Sequence, residues 1–378
     1  MELTSYSSQF VFENVFVIFS LVILLFIPRY SKIFWNIDSS YNAINTKRLK
    51  SIDAIKGMAI IAVILIHTCY LLLYKYNGAF EIVTLNFINN ISRFAIPVFL
   101  FTSGLLLKPF IWRKEYILNF YTSKFIRIGI PFILINIILW QIGYNASDTL
   151  WKLIFTGGMA TPFYFIPILF QLYLLYPLLD YIRKINPKYL LRLSLTISII
   201  SFFIPATWYL YNFPLSTQYL IFFVYGMLRQ DILSEKISNI WKELILIYII
   251  FNVIFIISML YNNLSTNTFK LLYFYNFQPI LGFGFIFLVF KYLQSHKFGS
   301  QTTNSIFAPI GRISLWIFLI HFPIQQFLFR NIIDLNLSLS IKLIHNFILT
   351  SFTSIILAFI MAKIYDIPKI IILYFTKK

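Results

Sequence analysis

A single cysteine, Cys69, stands in 378 residues, which excludes an internal disulfide and leaves the redox compartment unread. Charge is also scarce: Asp, Glu, Lys and Arg make up 12% of the chain, against about 25% in soluble domains. The sequence has no Gly-rich phosphate loop, no nucleophile elbow and no Cys/His metal spacing. Those absences exclude a P-loop nucleotide site, a hydrolase-type serine and a metal centre. No hydrophilic stretch is long enough for a separate soluble domain, and there is no internal repeat. The net charge of +18 would suggest nucleic acid as partner in a soluble protein. Nucleic acid is not expected here, because 59% of the residues are hydrophobic and the basic ones are distributed as topology signals.

A hydrocarbon core of about 30 Å needs about 20 apolar residues per crossing. By that rule the chain is an all-α, polytopic membrane helix bundle of about eleven transmembrane helices. Spans are expected near Phe10–Ile27, Asp53–Tyr74, Phe87–Leu107, Phe125–Gln141, Pro162–Tyr181 and Leu190–Trp208. Others are expected near Pro214–Leu228 (the shortest), Leu244–Leu260, Leu271–Phe290, Ile306–Phe329 and Leu343–Ala362. The first lacks a basic n-region and a small-residue cleavage site, so a removed signal peptide is not expected. Residues 1–46 read as an extra N-terminal helix with its linker, and 47–378 as a ten-helix membrane domain.

Lys and Arg orient the bundle. If the segment after the first span is cytoplasmic, 22 of the 31 basic residues fall on that side and five on the other. The remaining four, Lys56, Arg93, Arg127 and Arg312, lie within spans. The expected location is the plasma membrane, with the N-terminus outside and the C-terminus in the cytoplasm.

Ionisable groups at hydrocarbon depth are expensive and mark function by default. His67 lies about 10 Å below the outer end of its span, Arg93 about 9 Å and His321 about 12 Å. Lys56, Arg127 and Arg312 form an inner layer within about 10 Å of the cytoplasmic surface. Lys56 and His67, eleven residues apart, share one helical face about 16 Å apart along the axis. Asp53 lies three residues before Lys56, a spacing that lets the two pair. An outer imidazole has the pKa of a general base; its structural alternative is a donor to a neighbouring helix. Arg93 suits an oxyanion or a fixed ion pair. The inner cations suit phosphates or plain topological anchoring. Cys69, about 200° around the helix from His67, reads as packing.

These residues sit in recognisable stretches. RLKSIDAIKGMAIIAVILIH (48–67) resembles the opening helix of the membrane-bound acyltransferase 3 family, whose members modify glycans and lipids. SRFAIPVFLFTSGLLL (92–107), FYFIPILFQLYLLYPLL (163–179) and ISLWIFLIHFPI (313–324) resemble its later motifs, in family order. Two departures stand out. Lys56 replaces the family's usual Arg, a point charge for a bidentate fork. Pro162-Phe163-Tyr164-Phe165 stands where the family often has His-Leu-Trp-Phe, so no role of that His or Trp carries over.

The resemblance implies transfer of an acyl group, acetyl first, from cytosolic acyl-CoA (acetyl-CoA) to a hydroxyl of a cell-surface glycan or lipid-linked saccharide. Coenzyme A, the saccharide acceptor and membrane lipid are then the partners, with no metal. His67, Arg93 and His321 are the expected catalytic set, with Lys56, Arg127, Arg312 and Ser103 on the donor side. The competing classes are a transporter or flippase for lipid-linked glycans, which would show broken spans in paired halves, and a membrane sensor. The sequence shows no paired broken spans or inverted halves of that kind.

The charge distribution makes a direct prediction. Reporters fused after Lys378 or inserted near Pro187 should read cytoplasm, and one inserted near Ser147 should read outside. An external C-terminus would overturn both layers.

Overall fold

The computed structural model describes residues 50–73, 75, 79–145, 148–202, 216–228, 301–332 and 338–376. The expected spans Phe10–Ile27, Leu244–Leu260 and Leu271–Phe290 lie outside them, as does the N-terminal extra helix. The described chain is a bundle of helices with no strand among the described residues. In order these are α1 (Lys50–Leu73), α2 (Ala79–Ser92), α3 (Ala95–Leu105), α4 (Lys114–Lys124), α5 (Ile130–Gln141) and α6 (Leu150–Thr156). Then come α7 (Phe165–Ile185), α8 (Pro187–Phe202), α9 (Leu220–Leu228), α10 (Gln301–Arg312), α11 (Ser314–Ile332) and α12 (Leu339–Thr376). Among the described residues, four stretches are long and apolar enough to cross a membrane: Lys50–Leu73, Lys114–Gln141, Thr161–Ile185 and Leu339–Asp366. The α10/α11 pair makes a fifth if a bent pair counts as one span.

Two expected spans are broken, which corrects the sequence reading. Phe87–Leu107 divides into α2 and α3 at Arg93 and Phe94. Pro97 has no amide to donate to the Arg93 carbonyl four residues back, so helical pairing lapses there. Ile306–Phe329 divides at Ile313, where α10 and α11 meet at 82°. The Ile313 amide turns to the Ile310 carbonyl, 3.2 Å away, closing α10 with a tight three-residue turn. The short helix α6, ended by Gly157 at φ 68°, stands where the sequence signals only a loop.

The span starting at Phe125 extends back to Lys114 through a π-helical turn, Phe125–Gly129. Its last bond runs from Ile130 N to Phe125 O. Pro131 lacks the amide that would close the next such turn onto Ile126 O, and the Tyr365 hydroxyl donates there instead. A side chain of α12 thus satisfies a carbonyl that lipid would leave stranded.

The helices group into two compact units. The first contains α3, α8, α9 and most of α7. Here α3 and α9 touch backbone to backbone: a Cβ at Gly104 would lie 2.1 Å from Phe223 O, and one at Gly226 would lie 2.1 Å from Phe101 O. Asp180, fully buried on α7, accepts from Phe110 N at 3.0 Å and pairs with Lys184 at 2.9 Å and with Arg183. Lys184 also donates to Phe110 O at 2.9 Å, and the Tyr176 hydroxyl to Lys108 O. The non-helical segment after α3 is thereby tied down by side chains of α7.

The second unit contains α1, α2, α4–α6 and α10–α12. Its tightest crossing is α1 on α10. A Cβ at Gly57 would meet Phe307 O at 2.1 Å, and one at Gly311 would meet Asp53 O at 1.7 Å. Such approach is how membrane helices gain packing energy where lipid is as apolar as leucine. In this unit α12 is amphipathic in reverse. Lys342, Asn346, Thr350 and Ser354 are buried at four-residue spacing, while Ile344, Ile348, Phe352 and Phe359 are exposed. Its polar stripe faces protein and its apolar faces meet lipid.

Methyl groups at the crossings should therefore separate helices. Gly57→Ala or Gly311→Ala is expected to cost at least about 1–3 kcal/mol, the range for overpacking. Gly158→Ala, whose added carbon would meet only side chains, at 3.0 and 3.4 Å, should cost less. Thermal unfolding in detergent reads the difference; equal midpoints for all three variants would contradict the crossing.

Candidate active site

α1 carries both expected layers on one helix. Its apolar run supplies the burial, and Lys56 and His67 interrupt that run at helical spacing. At the inner end, Asp53 is buried and its carboxylate lies 3.6 Å from Arg312 Nε. The carboxylate thus reaches across to α10, a partner that its spacing from Lys56 does not reveal. Gly311 presses against the Asp53 carbonyl, and Arg312 follows it directly, so the crossing delivers the guanidinium to the carboxylate.

Arg312 keeps about half of its side chain exposed. Lys124, a loop charge by its place in the sequence, stands within electrostatic range of Arg127 and Lys56. The inner layer thus gathers Lys56, Lys124 and Arg127 from α1, α4 and the π turn. The spacing of three between Lys124 and Arg127 is the overlooked signal, because it places both on one helical face. The π turn shifts the register of that face where Arg127 projects, and such bulges often occur at functional positions.

At the other end, the rings of His67 and His321 lie 5.4 Å apart between centroids, inclined at 45°. Phe322 packs edge-on against His67 at 5.0 Å. His321 is fully buried. Its Nδ1 sits 2.8 Å from Phe318 O and 3.1 Å from Ile317 O. Carbonyl oxygens only accept, so Nδ1 carries a proton, and when the ring is neutral Nε2 is left as an acceptor. Nε2 is buried with no hydrogen-bond partner among the described residues. An unprotonated Nε2 accepts a hydrogen bond from a hydroxyl; it does not donate to an oxyanion.

One turn further along α11, Gln325 joins this helix to α1. Its Nε2 donates to Ile64 O at 3.2 Å and to Thr68 Oγ1, while Thr68 donates to Ile64 O at 2.9 Å. Asn89 of α2 donates to Ile66 O at 3.1 Å. The turn of α1 that carries His67 therefore has backbone carbonyls bonded from two other helices. Sequence reasoning misses Gln325, although its position four residues after His321 places the two on one face. Beyond α5, Tyr144 donates to Gln326 Oε1. Burial pushes its phenol up, against the pull of Arg330, so it stays a neutral donor.

The structure brings His67 together with His321 and sets Lys56 and Arg127 each within electrostatic range of Lys124, within one unit that also holds Arg312. Arg93 and Ser103 belong to the other unit. Arg93 is buried at the α2/α3 break. Ser103 donates to Phe99 O at 2.7 Å and shares a hydrogen bond with Tyr173.

Comparison with curated proteins and with solved structures found no match. Against family models, residues 49–363 match one described as an acyltransferase domain. That interval starts at the foot of α1 and ends inside α12, and includes both histidines and all the inner cations. A membrane helix bundle carrying them over most of its length belongs to the acyltransferase 3 family, and its activity is that of a membrane-bound acyltransferase.

Proposed function

We propose that the protein moves an acetyl group from cytosolic acetyl-CoA to a hydroxyl of a cell-surface glycan or lipid-linked saccharide, in the plasma membrane. The observation that carries this reading is the His67–His321 pair: two imidazoles in contact, one with its tautomer fixed and a buried acceptor nitrogen open. Few arrangements suit a reacting hydroxyl better. His67 accepts the reacting hydroxyl's hydrogen bond, and His321 Nε2 accepts one from a neighbouring hydroxyl of the acceptor, which orients the reacting oxygen. His67 takes the proton as that oxygen attacks the thioester carbonyl; the carbon–sulfur bond breaks, and the thiolate leaves and is protonated. In the alternative route His67 itself carries the acyl group before the hydroxyl takes it, and a trapped acyl adduct on His67 would favour that route.

The donor set at the inner end fits phosphates. Lys124 feels the charges of both Arg127 and Lys56, and three such cations suit an anionic ligand. The reach from that cluster to His67 is about 16 Å along α1, a span for an extended thioester arm. Arg312, drawn partly onto Asp53, contributes less to an anion than a free guanidinium would. Arg93, as oxyanion partner, and Ser103, on the donor side, enter this reading on sequence grounds. The bent α10/α11 pair resembles the discontinuous helices of transporters, but the family match favours acyl transfer instead.

Lys56→Ala should weaken coenzyme A binding about 10- to 150-fold, the worth of one charge-assisted contact of about 1.5–3 kcal/mol. Lys56→Arg, restoring the family's usual residue, should keep most of it. Arg312→Ala should chiefly lower stability, since it takes a cation away from a buried carboxylate. Unchanged affinity in Lys56→Ala, measured by equilibrium binding, would reduce the cluster to an anchor.

His67→Gln should reduce acyl transfer by at least about 10²-fold, while coenzyme A binding persists. Glutamine keeps a hydrogen bond but takes no proton at neutral pH. Near-normal transfer by a folded His67→Gln protein would end the catalytic assignment. The acceptor and acyl group can be read from surface glycans by mass spectrometry, as a mass increment lost with the protein.

A further inference from the structure

Arg127 stands on the π turn Phe125–Gly129, and the bonding of that turn leaves one carbonyl to be met from another helix. The Ile130 amide goes to Phe125 O rather than to Ile126 O, its α-helical acceptor. The next residue, Pro131, has no amide to offer. Its ring also crowds the carbonyl four residues back, which is that of Arg127 itself. Proline thus holds the turn open at Arg127 and strands Ile126 O. The Tyr365 hydroxyl donates to that oxygen. Tyr365 is half-buried on α12, and its ring packs edge-on against Trp316 of α11, with 5.4 Å between centroids and 64° between planes. Trp316 is itself buried. The tyrosine is therefore gripped at both ends, and all these residues belong to one unit.

The bond to Ile126 bears on Arg127 because one planar peptide unit joins the Ile126 oxygen to the Arg127 nitrogen. Fixing the oxygen fixes that plane, and with it the direction in which the arginine side chain leaves the helix. Arg127 is exposed, so packing does not aim it and the backbone does. Without the hydroxyl, Ile126 O would turn toward water or recapture the Ile130 amide. Either movement rotates the plane and carries the guanidinium away. Tyr365 lies just past the interval 49–363 that matches the acyltransferase family, so that match assigns it no role.

We infer that Tyr365 is a positioning residue for the donor, on the reading of the inner cations as a phosphate site. Its hydroxyl holds the π turn in the register that aims Arg127 at a phosphate of coenzyme A. Donor affinity then depends on a group of α12 that touches no ligand.

A double-mutant cycle tests this, read by equilibrium binding of coenzyme A to the full protein in nanodiscs. Tyr365→Phe keeps the ring on Trp316 and removes only the hydroxyl. It should weaken coenzyme A about tenfold, the lower end for a charge-assisted contact. In a Lys56→Ala background it should weaken binding again, because Lys56 is held by α1. In an Arg127→Ala background it should add nothing, since the residue it acts through is gone. A general packing defect would weaken binding in every background, and that result overturns the assignment. Equal binding by wild type and Tyr365→Phe overturns it too.

Pro131→Ala decides if Tyr365→Phe does not fold. Alanine removes the ring's clash and lets the turn close as α-helix, with the Ile130 amide on Ile126 O. The carbonyl then needs no tyrosine and Arg127 leaves its register, so coenzyme A binding should fall in a folded protein. Wild-type affinity in Pro131→Ala would sink the positioning role while leaving the phosphate site in place. A wild type that does not bind coenzyme A at all would remove the phosphate site and the positioning role together.

Discussion

The approach of α1 to α10 at Gly57 and Gly311 governs most of the geometry of the second unit. In lipid, helices gain nothing by merely being apolar, so close backbone contact has to supply the attraction. Once the carbonyls of Asp53 and Phe307 rest on those glycines, Arg312 is delivered to the Asp53 carboxylate and α10 ends. The 82° turn at Ile313 then redirects α11, which packs against α1. That packing sets His321 against His67 and lets Gln325 bridge to Ile64 and Thr68. A crossing a few ångströms looser would leave the same residues present and the imidazoles apart.

Around this crossing the protein obeys the rule that polar backbone in lipid must be satisfied from within. The Tyr365 hydroxyl answers the carbonyl that Pro131 strands at the π turn, and Asp180 answers the Phe110 amide after α3. In each case an irregular segment is held by a long helix, so the irregularity is tolerated only where that helix lies. Arg127 and Lys184 therefore sit beside non-standard backbone for different reasons. One projects into the cation cluster, and the other closes a structural knot.

Much of this architecture is legible in the sequence. Asp53–Tyr74 is the expected span and Lys50–Leu73 is the helix found, because an apolar run bounded by polar residues fixes a span closely. The shared face of Lys56 and His67 comes from helical period alone. Partners are less legible. Periodicity says which way Asp53 points, yet only the crossing reveals Arg312 opposite. The breaks at Arg93 and Ile313 escape hydropathy, which averages over them, although Pro97 signals the first. Lys124 reads as a loop charge because the helix begins at Lys114, well before the apolar run at Phe125 that marks the span. Gln325 carries no charge and so escapes a search for ionisable groups, though an amide at such depth is also a marked residue.

The α1–α10 crossing has a consequence for synthesis. About 230 residues separate Leu73 from Gln301. At roughly 5–20 residues per second, on the order of 10–50 s pass between emergence of the two helices from the ribosome. Throughout that interval the face of α1 bearing Gly57, Lys56 and Asp53 is in the membrane without the helix that fits it. A carboxylate and a glycine notch then await a partner made late. Insertion machinery, lipid headgroups or water must shelter that face until α10 arrives. Assembly of the second unit is therefore limited by translation of the chain between the two helices, and the unit closes only when nearly the whole protein has been made.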